Sequence, residues 1–197
     1  MTAFAKLLLS WAARTADDVL LLAHATGALE GWLRGEAAIA VQKGGFGAFD
    51  EVTAERGHVD LVVCQEGASK AVEFKVAFNN KNLIGGYNGT RGIAQDVAKL
   101  SQLTFDEKYL AVLFAFYSRT VYPDLKKFYG QQVDRVRLQP KDGEDFGTFA
   151  ADLARQVTRK VISKPEEVRP MKSDGGVWLG FWCQRVSETS ARAPRAP

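Results

Sequence analysis

Apolar positions recur at helical spacing at the start of the chain, where Phe4, Leu7, Leu8 and Trp11 predict a helix. Thr15 is placed to cap a second short helix, with Asp17 and Asp18 in its first turn and 19–22 buried. A third helix is predicted over 28–43, opened by Thr26 and closed by Gly44-Gly45. Its apolar stripe reads Leu29, Trp32, Leu33 and Ala40, with Glu36 on the stripe and Glu30 off it, four before Arg34 in the order of a surface ion pair. The period then changes from helical to alternating. Strands are predicted over 49–55, 57–64 and 71–77, the last two joined by a polar turn as an antiparallel hairpin. A helix over 93–103 turns Ile93, Val97 and Leu100 inward, and 108–118 is apolar on both faces, as a covered central strand would be. Beyond it, 146–162 reads as a helix, 164–174 as a charged linker and 176–186 as a strand with Trp178 and Trp182 on one face.

The predicted hairpin carries acids where a buried strand should be apolar. Side chains alternate between the faces of a strand. His58, Asp60 and Val62 therefore share one face of the first strand, and Ala71, Glu73, Lys75 and Ala77 one face of the second. The hairpin can bring Asp60, Glu73 and Lys75 onto one surface. Two carboxylates and an ammonium are costly to bury without a partner, and a divalent cation is one such partner. The competing reading is a half-exposed hairpin with an ordinary surface salt bridge. His58 is either a polar neighbour of this group or a histidine at the edge of the core.

Composition narrows the class only a little. The chain has 197 residues, enough for one well-buried domain, and its 46% apolar and 25% charged residues are ordinary globular values. A net charge of +3 and a pI near 8.8 permit a polyanionic partner without demanding one. Cys64 and Cys183 lack the spacing of a zinc site or a disulfide framework and read as a reduced cytoplasmic pair. Leu7-Leu8-Leu9 is too short a run for a signal peptide, and no stretch reaches transmembrane length. A single domain over 1–186 with a disordered 187–197 tail is expected.

Three further stretches hold candidate binding groups. Residues 85–92 contain four glycines and Arg91, and read either as a connector or as a loop whose amides and Arg91 meet phosphate. Arg91, Gln95 and Lys99 follow at four-residue steps, as a solvated helix face or a substrate-facing one. Arg119, Lys126, Lys127, Arg135, Arg137 and Lys141 are interleaved with Tyr117, Tyr122, Phe128 and Tyr129, which suits phosphates and unpaired bases, or a soluble surface over core aromatics.

An acid followed after a short gap by Glu-x-Lys, here Asp60 and Glu73-Phe74-Lys75, resembles the PD-(D/E)XK nuclease superfamily. The motif's proline is replaced by Val59. The resemblance covers about half the chain, and the predicted order of elements over 28–118 matches that superfamily's αβββαβ core. It implies an α/β fold of mixed α+β type, restriction endonuclease-like, with a central mixed sheet flanked by helices. Extra N-terminal helices and a C-terminal helix-strand extension fall outside the core. It also implies a metal-dependent nuclease, an endonuclease acting on DNA before RNA, in restriction, repair or defence. Mg²⁺, or Mn²⁺ in its place, would be held by Asp60, Glu73 and the Phe74 carbonyl. Lys75 would hold the attacking water or steady the developing charge. Glu36 would be the acid that the first core helix of this superfamily often places near the motif, unless it is a rim residue. Arg91, Gln95 and Lys99 would bind substrate. A homodimer or a partner subunit would fit cutting of both strands. The alternative is a non-cleaving member that binds nucleic acid or protein, such as an adaptor or immunity-type factor.

Overall fold

The alternating runs assemble into one six-stranded sheet covered by helices on both faces. In the computed structural model, residues 2–16, 29–43, 51–56, 59–65, 67–80, 82–86, 89–121, 138–174 and 176–187 are described. Helix α1 (Ala3–Arg14) is capped by Thr2, whose hydroxyl accepts the Ala5 N–H at 3.2 Å. It is followed by α2 (Leu29–Lys43), strands β1 (Glu51–Arg56), β2 (Val59–Gln65) and β3 (Ala68–Phe78), helix α3 (Thr90–Gln102) and β4 (Glu107–Tyr117). The last third adds α4 (Phe146–Val161), β5 (Arg169–Asp174) and β6 (Val177–Arg185). The helix, three strands, helix and strand expected over 28–118 are thus present in that order, from α2 to β4.

The strands lie in the order β1-β2-β3-β4-β6-β5. The β2–β3 hairpin is antiparallel, with Gly67 at φ 77° in its turn, a conformation that glycine adopts without a Cβ penalty. β3 and β4 run parallel, which requires a crossover, and α3 supplies it. β4 and β6 are antiparallel neighbours, and β5 closes that edge against β6.

β4 is buried on both faces, as its unbroken apolar run requires. Tyr109, Ala111, Leu113 and Ala115 join the core under α1 and α2, while Leu110, Val112, Phe114 and Phe116 join the core under α3 and α4. Each fully buried Leu, Val or Phe of the strand contributes about 1.5–3 kcal/mol, so the strand anchors the whole sheet. Trp178 and Trp182 share the α3–α4 side, as their spacing predicted. Cys64 and Cys183 are both free thiols, and Cys183 is buried, which pushes its thiol up to about 12. No helix among the described residues is long and apolar enough to cross a membrane.

One expectation of the fold changes. Residues 164–174 were expected as a linker, yet 169–174 form the edge strand β5. Pro170 and a register shift between Pro170 and Lys172 suit an edge, where a missing N–H and an irregular ladder are tolerated. Thr15 closes α1, its N–H bonding Trp11 O at 3.1 Å. The expected second short helix, His58, most of the basic and aromatic segment (122–137) and the tail beyond Ser187 lie outside the described residues.

Candidate active site

Asp60 sits where β2 and β3 part. The ladder between them runs from Gln65↔Ala68 to Leu61↔Val72, and continuing it would set Asp60 opposite Glu73. Instead of a backbone carbonyl, Asp60 Oδ2 accepts the Phe74 N–H at 2.8 Å. The carboxylate therefore lies in the gap between two strands, within reach of both faces of the sheet. From the α2 side, Arg34 Nη1 donates to Asp60 Oδ1 at 3.2 Å.

Glu73 and Lys75 point to the other face. They share that face with Ala71 and Ala77, which are fully buried in the core beneath α3. Glu73 is itself only 8% exposed. Two residues of α3 descend onto it. Lys99 Nζ donates to Glu73 Oε1 at 2.7 Å, and Asp96 Oδ2 lies 3.4 Å from Lys75 Nζ. Two residues along a strand span about 6.6 Å and three along a helix rise about 4.5 Å, so the two pairs can form side by side. The signs cross over: acid then base on β3, acid then base on α3, each bonded to its opposite.

The carboxyls are under strain from burial and from one another. Glu73 is pushed up to about 7, first by burial, then by the negative charges of Asp60 and Asp96; Lys99 pulls it back only in part. Its Oε2 is buried without a hydrogen-bond partner among the described residues. Asp96 is also raised, again first by burial, with Lys75 and Lys99 opposing and Asp60 adding. Glu73 thus feels the charge of Asp60 and Asp96, and Asp96 that of Asp60, at one junction of sheet and helix.

The structure brings Asp60, Glu73, Phe74, Lys75 and Lys99 together. It does not bring Glu36. The buried line of α2 is Leu33, Ala37 and Val41. Arg34 lies on one flank of that line and faces Asp60, whereas Glu36, about 200° round the helix from it, lies on the other. There it lines a shallow cleft with Trp11, Arg14, Ile39, Ala40 and Lys43. Glu30 begins the same helix, and its side chain lies outside the described residues. Arg91 and Gln95 are exposed on α3 and do not share the inward row of Asp96 and Lys99. Gly86 and Gly89 serve the path of the chain: a Cβ on either would collide with the backbone of Asn82 and Leu83. Arg119 and Lys141 are exposed, but Tyr117 is buried in β4 and offers no stacking face.

Arg34 and Asp96 escape a reading of the sequence. The first hides in an expected surface ion pair with Glu30. The second is one position from the row of Arg91, Gln95 and Lys99, and a signal was there: Asp96 lies three before Lys99, the spacing of one helix face.

The donor set suits a hard divalent cation. Asp60 and the unpartnered Oε2 of Glu73 are carboxylate oxygens, and Mg²⁺ is commonly held by one or two carboxylates with several waters. Among the described residues no group of three or more His, Cys, Asp and Glu side chains is arranged to hold a metal. No family model, curated protein or solved structure matches this chain.

Proposed function

We propose that this chain is a metal-dependent phosphodiesterase. More particularly, it is an endonuclease of the PD-(D/E)XK kind with a restriction endonuclease-like core, acting on DNA before RNA, in the cytoplasm, as a homodimer or with a partner subunit. One observation carries the proposal. The acid, the Glu-x-Lys pair and their neighbours converge at the gap between β2 and β3, with Glu73 buried, raised to about 7 and left with an unpartnered oxygen. Burial of such a group is hard to justify by stability alone, and perturbed carboxyls of this kind cluster at functional sites.

Asp60, Glu73 and the Phe74 carbonyl are the groups that would hold Mg²⁺ or Mn²⁺. When bound, the ion would neutralise phosphate charge and acidify a water. The chain's own residues do the rest. Arg34 and the Phe74 N–H fix both oxygens of Asp60, which stops its carboxylate from rotating. Lys75 offers an ammonium on the same strand face as Glu73, suited to hold a water or to meet developing negative charge. Lys99 offers a second cation, only 34% exposed, that can exchange Glu73 for a phosphate oxygen.

The paired charges also favour a second reading. Lys75 with Asp96 and Lys99 with Glu73 form a balanced network that would suit a non-cleaving module binding nucleic acid or protein. Asp60→Ala separates the two. The first reading expects cleavage to disappear while circular dichroism and DNA binding by gel shift persist, since phosphate contacts largely lie elsewhere. Unaltered cleavage by the variant would reject the site, and an unfolded variant would make Asp60 a structural residue.

A further inference from the structure

We propose that Asp96 is a positioning residue, which holds the Lys75 ammonium on the α3 side of the site and keeps it from collapsing onto the carboxylates that would take the cation. The inference rests on the nuclease reading.

Lys75 has a flexible four-carbon stem and two anionic neighbours, Glu73 on its own strand and Asp60 on the next. An ammonium left to itself would settle between them and occupy their oxygens. The ion pair to Asp96 at 3.4 Å draws it toward α3 instead. Neither side chain of that pair is freely solvated, with 19% of Lys75 and 16% of Asp96 exposed, so the pair is screened less than a surface one.

Stability is a poor reason for Asp96 to be there. Its carboxyl is raised by burial and by the charge of Asp60, and a buried pair at this distance returns little more than its desolvation costs. Position is the better reason. Val97 and Leu100 of α3 are locked into the core below, so Asp96 is held at a fixed height above β3. Lys99, one turn further along, gives Glu73 a cation of its own and removes its need for Lys75.

The test compares the full-length wild type with Asp96→Asn, Asp96→Glu, Lys75→Gln and the double variant Asp96→Asn with Lys75→Gln, on the DNA that the wild type cuts with Mg²⁺. Loss of positioning should lower kcat by about 100-fold in Asp96→Asn. KM and the Mg²⁺ affinity by calorimetry should stay unchanged, and Asp96→Glu should recover part of the rate. The double variant should be no slower than Lys75→Gln, because Asp96 acts through Lys75. In metal-free protein, the NMR signal of the Lys75 ammonium, sharpened by its ion pair, should broaden in Asp96→Asn. Full kcat in Asp96→Asn, losses that multiply in the double variant, or a lost Mg²⁺ affinity that makes Asp96 a ligand would each overturn the inference while leaving the nuclease reading intact. A folded wild type that cuts nothing would remove that reading and this role with it.

Discussion

Glu73 is a carboxylate that the fold holds against its preference. Its carboxyl moves from 4.5 to about 7, chiefly because it is buried. The unfolded chain therefore ionises Glu73 well before the folded chain does. As pH rises from about 4.5 to about 7, the folded state loses stability through this group, and above about 7 the loss is complete. The full shift corresponds to roughly 3 kcal/mol. Glu73→Gln keeps the shape and an acceptor for Lys99 without the charge. It should be more stable than the wild type at pH 8, by about 1–3 kcal/mol, and nearly equal to it at pH 4.5. Urea unfolding at the two pH values checks this, and a variant less stable at pH 8 would mean that the ionised form is favoured where it lies. The same variant should lose cleavage, so stability and activity would move in opposite directions.

At the scale of elements, α2 decides which residue serves Asp60. Arg34→Ala should lower cleavage by about 10-fold or more by freeing one oxygen of Asp60, and Glu36→Ala should leave it within about twofold, as measured by initial rates. Equal effects of the two would contradict the placement of α2. The sequence resolved this helix but not its rotation, because Ala37, Ala38 and Ala40 blur the edge of the apolar stripe and let either flank pass as buried. The hairpin was easier to read. With a period of two, Asp60, Glu73 and Lys75 had few faces to choose from, and the structure keeps Glu73 and Lys75 together on the predicted one. α3 was read correctly as a helix, yet a step of one residue in phase put Gln95 beside Lys99 where the inward acid is Asp96. β5 was missed because Arg169, Pro170 and Lys172 lack the apolar alternation of a covered strand, and an edge strand does not need it.

Across the whole molecule, the order of elements follows from local pattern, but the order of strands does not. Local pattern specifies neither that β6 inserts between β4 and β5 nor that β3 and β4 run parallel; those depend on how two apolar faces are shared between two layers of helices. The site lies where these choices meet, at the parting of β2 from β3 and under the crossover α3. With a net charge of only +3, the chain has little general attraction for a polyanion. DNA binding should therefore weaken only shallowly with salt, with a slope set by about two or three phosphate contacts, as fluorescence anisotropy between 50 and 200 mM salt would measure. A steep dependence would point to a larger basic surface. Purified protein should be incubated with plasmid, linear duplex, single-stranded DNA and RNA, each with Mg²⁺, with Mn²⁺ and with chelator, beside a Lys75→Ala control. Metal-dependent cutting of DNA that chelator stops and the control lacks is the expected result. Folded protein that cuts none of the substrates, or cutting that survives in the control, would contradict it.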